Sequence, residues 1–158
     1  MSQSLVEHVA QSAAHQKIEM RPTFVVIMRS GVSMLDGALT ACPDAPVGHI
    51  GLHRDPRTFI AMEYYCKLPH IQGRDCIVLD PQMATGHTAV AAADRLVPMQ
   101  PRSVTFVAAL TTPVAIDYLA TYHPGVAVLA ASLEDGVDEH GEVVPGFGDV
   151  GQRLYGTA

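Results

Sequence analysis

The sequence has no tryptophan, three cysteines and only 16% charged residues. Cys42, Cys66 and Cys76 are odd in number and form no CxxC pair, which excludes a disulfide scaffold and a zinc ribbon and leaves three ordinary thiols. A basic surplus is also missing. Ten Lys and Arg face sixteen Asp and Glu, for a net charge of -6, so no broad face is expected to coat nucleic-acid phosphates. Any anion the chain binds must be met locally. No apolar run approaches the roughly 18 residues of a membrane span, and the opening MSQSLVEHVAQSAAHQK lacks the basic-then-apolar order of a secretory signal. A cytoplasmic protein with no membrane and no nucleic-acid partner is expected. There is no G-x-S-x-G elbow and no Walker A lysine, which disfavours a serine hydrolase and a nucleoside triphosphatase.

What is present is apolar residues in short blocks. The 158 residues are 48% hydrophobic and show no repeat or linker, so residues 1–158 are read as one domain. Leu5, Val6, Val9, Ala13 and Ala14 have helix spacing, predicting an N-terminal helix within residues 1–20 that Arg21-Pro22 ends. Phe24-Val-Val-Ile-Met28, Cys76-Ile-Val-Leu79, Val104-Thr-Phe-Val-Ala-Ala-Leu110 and Val126-Ala-Val-Leu129 read as strands covered on both faces. Helical patterns lie between them, over residues 31–41, 88–96 and 113–122. This order predicts an α/β fold with a mostly parallel central sheet flanked by helices. A β-hairpin is expected within residues 45–68, turning at Asp55-Pro56, and residues 134–158 read as glycine-rich loops with one short strand.

Ligands of open parallel sheets sit beyond the carboxyl ends of the strands, so the unusual residues there are the candidates. Asp80-Pro-Gln-Met-Ala-Thr-Gly-His-Thr88 follows a strand and opens a helix. Gly86 allows a tight turn, Thr85 and Thr88 carry hydroxyls, and the helix N-terminus adds partial positive charge, which together make a phosphate site. The simpler reading is that Thr88 is an N-cap and Gly86 a turn residue. Arg29, in Arg29-Ser-Gly-Val-Ser-Met-Leu-Asp-Gly37, sits where its planar fork of donors can meet a phosphate, and Arg54 could supply a second. By itself Arg54 reads as a solvated hairpin residue. Gly141-Glu-Val-Val-Pro-Gly-Phe-Gly-Asp-Val-Gly151 is a loop that either closes the fold or offers backbone groups to a small planar ligand. His49 and His53 are four apart without a third ligand, so a metal site there is disfavoured.

In these segments the sequence resembles the uracil phosphoribosyltransferases, over residues 24–157. The resemblance is carried by Ile27-Met-Arg-Ser-Gly31, Met34-Leu-Asp-Gly37, Val47-Gly-His-Ile-Gly-Leu-His-Arg-Asp-Pro56, Glu63-Tyr-Tyr-Cys-Lys-Leu-Pro69, the Asp80 loop, Glu139-His-Gly141 and Val144-Pro-Gly-Phe-Gly-Asp149 leading to Tyr155-Gly-Thr157. It implies the type I phosphoribosyltransferase fold and a pentosyl transfer in pyrimidine salvage, in which uracil and 5-phospho-α-D-ribose 1-diphosphate give UMP and pyrophosphate. It also implies the roles. Asp80 would face the ribose hydroxyls, while Gln82, Met83, Ala84, Thr85, Gly86, His87 and Thr88 would hold the 5′-phosphate, with Pro81 in the same ribosyl-diphosphate site. Arg29 and Arg54 would hold the departing diphosphate. Val143, Gly148, Asp149 and Val150 would read uracil, with Asp149 also at the donor. Mg2+ would be shared by diphosphate and ribose, with no direct protein ligand. The catalytic set implied is thus Arg29, Arg54, Asp80 and Asp149. A homo-oligomer, dimer or tetramer, is expected, as is a cis peptide beside the arginine, at Arg29–Ser30.

The sequence departs from the family pattern at several positions. His87 stands at the second glycine of the phosphate loop, Gln82 at an apolar position, Glu142 at a tyrosine, Gln152 at an aspartate and Ser30 at a small apolar residue. The family's usual N-terminal segment is expected to be absent. Two alternatives stay open: a transferase of the same fold for another base, and a non-catalytic nucleotide-binding regulatory descendant.

Overall fold

Phe24 and Val26 turn to one face of a sheet and Val25 and Ile27 to the other, and all four are buried. Successive strand side chains alternate faces, so an unbroken apolar run signals helices on both sides. The structure, a computed structural model, describes residues 21–55, 58 and 60–157. The helix expected within residues 1–20 and the side chain of Arg54 lie outside the described residues.

The sheet contains β1 (Thr23–Met28), β2 (Val47–Arg54), β3 (Ala61–Lys67), β4 (Asp75–Leu79), β5 (Gln82–Met83), β6 (Ser103–Thr111) and β7 (Ala127–Leu133). The order runs β3-β2-β1-β4-β6, with β7 on β6 and every pair parallel except β2 with β3. β5 pairs with β6 beyond the end of β4, at Gln82 opposite Leu110. The hairpin of β2 and β3 carries a register irregularity at Gly51 and Leu52.

Helix α1 (Val32–Ala41) covers one face with Met34 and Ala38, packed on Phe24, Val26, Ile77, Leu79 and Val107. Helices α2 (His87–Leu96) and α3 (Pro113–Tyr122) cover the other. Their Ala89, Ala92, Ala93, Leu96, Ala115 and Leu119 meet Val25, Ile27, Val78 and Phe106. Small side chains let α2 lie close to the strands. A third cluster joins Ala84 and Leu110 to Val143, on the short ladder β8 (Gly136–Val137) and β9 (Val143–Val144).

The structure corrects three expectations. Residues 134–157 are not loops alone: α4 (Val150–Tyr155) forms there, its first turn capped by the Asp149 carboxylate, which accepts the Gln152 N–H at 2.8 Å. Thr88 is not an N-cap, because α2 begins one residue earlier behind Gly86, whose φ of 84° suits a residue without Cβ. The cis peptide adjoins the arginine on its other side, at Met28–Arg29, and Val144–Pro145 is also cis.

Candidate active site

From β1 the chain continues to β2 on one side, then returns to place β4 on the other. The crevice between the carboxyl ends of β1 and β4 is therefore a topological switch point, where open α/β sheets bind ligands. A cavity of about 850 Å³ opens there. The β1 turn approaches closely: a Cβ on Gly31 would lie 2.3 Å from the Leu79 carbonyl oxygen, so only glycine fits.

Besides the β2–β3 hairpin, which contributes Leu52, His53 and Tyr64, three chain segments meet at this cavity. Arg29 and Ser30 line it from the β1 turn, Asp80 and residues 82–86 with Thr88 from the loop after β4, and His140, Glu142 and residues 149–152 from the C-terminal part. The first helical bond of α2 runs from Val90 N–H to Gly86 C=O. The N–H groups of His87, Thr88 and Ala89 thus precede any intrahelical acceptor and give this end its anion affinity. Thr112 fixes the loop from beneath. Its hydroxyl donates to the Ala84 carbonyl at 2.7 Å and accepts the Ala115 N–H at 3.1 Å, capping α3.

Asp80 is buried in the cavity wall, and loss of hydration pushes its carboxyl up to about 7, slightly opposed by the Gln82 N–H. Arg29 is exposed and forms no ion pair among the described residues. The Gln82 side-chain amide donates to Glu142 Oε2 at 2.8 Å and to the Gly148 carbonyl at 3.2 Å, tying the loop after β4 to the C-terminal loops. Asp138 supports this contact by accepting the N–H groups of Glu142 and His140, which hold its carboxyl below the ordinary range.

Pro81, His87, Val143 and Gly148 fall around this cavity without lining it. Pro81 is buried, with its carbonyl accepting from Ala109 and Leu110. His87 turns outward, stacked on Tyr118 at 4.4 Å between ring centroids, with Nδ1 3.0 Å from the Thr85 hydroxyl. Val143 packs its side chain into the third cluster, and Gly148 presents its carbonyl to Gln82. Arg54 ends β2, and the neighbouring His53 lines the cavity. Among the described residues no three His, Cys, Asp or Glu gather in a metal-binding group, and no helix is long and apolar enough to cross a membrane.

Sequence reasoning missed Tyr64, His53 and Thr112, and gave no role to Tyr155 or Thr157. Tyr64 reaches the cavity because Gly51 leaves room for its ring: a Cβ there would lie 2.5 Å from it. A Thr-Pro pair opening a helix was the available signal for Thr112.

A family model described as uracil phosphoribosyltransferase matches residues 1–157. A uracil phosphoribosyltransferase from Rhodococcus opacus (strain B4) is 50% identical over 135 residues, 85% of this chain and 65% of that protein. One from Legionella pneumophila (strain Lens) is 47% identical over 135 residues, 85% of this chain and 63% of that protein. The chain thus spans just under two thirds of the length of these relatives. A solved protein structure from Aquifex aeolicus superposes with a TM-score of 0.90 at 28% identity, covering 99% of this chain and 85% of that one. A hypoxanthine phosphoribosyltransferase from Trypanosoma cruzi shares the fold, with a TM-score of 0.60 at 11% identity over 87% of this chain and 77% of that one. The chain belongs to the uracil phosphoribosyltransferase family.

Proposed function

We propose that the chain is a uracil phosphoribosyltransferase, joining uracil to the ribosyl carbon of 5-phospho-α-D-ribose 1-diphosphate to give UMP and pyrophosphate. The observation that carries this reading is the convergence of the Arg29 turn, the Asp80 loop with the N-terminus of α2, and His140, Glu142 and residues 149–152 on one cavity. In this reading the bond from the anomeric carbon to the diphosphate oxygen breaks as a bond to uracil N1 forms, and the N1 proton is released. Negative charge grows on the departing diphosphate and positive charge on the sugar. Fixed donors at the first place and a carboxylate at the second lower the barrier.

Arg29, and Arg54 from the end of β2, would meet the diphosphate. The N–H groups at the start of α2 and the hydroxyls of Thr85 and Thr88 would hold the 5′-phosphate. Asp80 would face the ribose hydroxyls, and Asp149, at the start of α4, would sit between base and donor. Backbone groups of Val143 and Gly148 would read the uracil edge, with Val150 beside it. The chemistry of the cavity wall fits a magnesium ion carried chiefly by the substrate. Asp80, Glu142 and Asp149 offer hard oxygens, and Mg2+ is usually held by one or two carboxylates plus substrate phosphates and water. Bound there, it would neutralise diphosphate charge, with Asp80 on the ribose hydroxyls beside it. The reading carries with it a cytoplasmic protein acting in pyrimidine salvage.

The test is pyrophosphate release with magnesium, the ribosyl donor and each of several bases. Release with uracil and not with cytosine, hypoxanthine or adenine is the expected result. A second reading, transfer to another base, rests on the Glu142 carboxylate in the cavity wall and requires release with that base instead. The same reading carries a homo-oligomer, supported by the open edge of β3 with Met62, Tyr64 and Tyr65 exposed. Sedimentation at the mass of a single chain would remove it.

A further inference from the structure

Arg29 meets the residues after α4 begins through three contacts, two with Tyr155 and one with Thr157. The Tyr155 phenol donates to the Arg29 carbonyl at 3.0 Å, the Arg29 guanidinium lies over the Tyr155 ring at 5.7 Å, and Arg29 Nη2 donates to the Thr157 hydroxyl at 3.0 Å. The end of α4 makes this possible. Gly156, at φ 61°, ends the helix in a left-handed cap, and Thr157 N–H returns to the Gln152 carbonyl, turning the Thr157 side chain back to the β1 turn.

We infer that Tyr155 is the positioning residue for Arg29, holding its guanidinium toward the cavity so that its N–H donors meet the diphosphate of the ribosyl donor. The inference rests on the proposed reading of the site. An arginine side chain has four rotatable torsions, and fixing them costs rotamer freedom. A ring against its face and a clamp on its own carbonyl remove much of that freedom before the substrate arrives, which is preorganisation. The ring distance falls within the roughly 6 Å over which a cation and an aromatic face attract. Thr157 engages one of five N–H donors through a neutral hydroxyl, a weaker acceptor than a phosphate oxygen. That bond is the one exchanged when the diphosphate binds.

The experiment is a mutant cycle on the full chain, read by calorimetric titration with magnesium pyrophosphate and by steady-state kinetics. Tyr155→Phe removes the hydroxyl and keeps the ring, and Tyr155→Leu removes both. Tyr155→Leu is expected to weaken pyrophosphate binding about tenfold and Tyr155→Phe about threefold, with the KM for uracil at saturating donor changed less than about twofold. In an Arg29→Ala background the same substitutions are expected to change pyrophosphate binding less than about twofold, because the residue through which they act is gone. Equal losses in both backgrounds, parallel losses for uracil and pyrophosphate, or no loss at all would overturn the inference. Should Tyr155→Leu fail to fold, Tyr155→Phe with its Arg29→Ala partner decides the matter alone. If the unsubstituted chain binds pyrophosphate but transfers to no base, the proposed activity falls and the cycle still judges Tyr155. If it binds no pyrophosphate, both fall.

Discussion

The side-chain amide of Gln82 donates to the Glu142 carboxylate at 2.8 Å, across 60 residues of sequence. Two positions expected to depart from the family pattern are therefore partners. The pair ties the loop expected to hold phosphate to the loop expected to hold the base. Gln82→Leu leaves the Gly148 carbonyl and Glu142 without this donor in a half-buried setting, and is expected to cost about 1.5 kcal/mol of stability. It should also raise the KM for uracil. Glu142→Gln keeps an acceptor for Gln82 and should cost less. Urea titration of the two variants checks the order, and a larger loss for Glu142→Gln would contradict it.

Asp80 gives a pH signature of defined sign. Its carboxyl titrates near 3.8 unfolded and near 7 when buried. Between these values the folded chain holds a proton that the unfolded chain has released, so stability falls as pH rises through this window and levels off above it. Asp80→Asn is expected to raise the melting temperature at pH 8 and to lose this advantage as pH approaches 4. The kcat/KM for the donor should fall about tenfold per unit below pH 7, since it reports the free enzyme. A flat profile from pH 5 to 8 would remove the ionised Asp80 from the reaction.

His87 stands in the loop expected to hold phosphate yet faces Tyr118, away from the cavity. His87→Gly is expected to cost about 1 kcal/mol, from glycine in a helix and the lost ring contact. The KM for the donor should change less than about threefold, a limit set by the loss of no more than one weak hydrogen bond. A tenfold change would mean that the imidazole meets the phosphate.

Thr112 carries two hydrogen bonds on one fully buried hydroxyl. Thr112→Val keeps the shape, removes both and should cost about 2 kcal/mol. Because Ala84 is released with it, a higher KM for the donor should accompany the lower stability. A stability loss with an unaltered KM would make Thr112 a helix cap alone.

How much was legible follows from where the physics is local. The central strands announced themselves because burial on both faces demands unbroken apolar runs, as at Phe24 to Met28. The turn from β4 into α2 was legible because a strand, a glycine turn and a helix start lie within nine residues. β7 was read short because Ala130, Ala131 and Ser132 interrupt its run of bulky apolar residues before Leu133. Helix α4 was hidden by its six-residue length and by flanking glycines that also suit a loop. The bonds from Gln82 to Glu142 and from Tyr155 to Arg29 span 60 and 126 residues, distances over which no local pattern operates.

The central claim is transfer of a ribosyl phosphate to uracil in the cavity between β1 and β4. Its most direct measurement follows labelled uracil into UMP with magnesium and 5-phospho-α-D-ribose 1-diphosphate, beside the Arg29→Ala variant. The account predicts UMP and pyrophosphate in equal amounts, both dependent on the donor and both strongly reduced in the variant. Labelled uracil recovered unchanged from a folded protein that binds the donor, or UMP formed at the same rate by the variant, would contradict it.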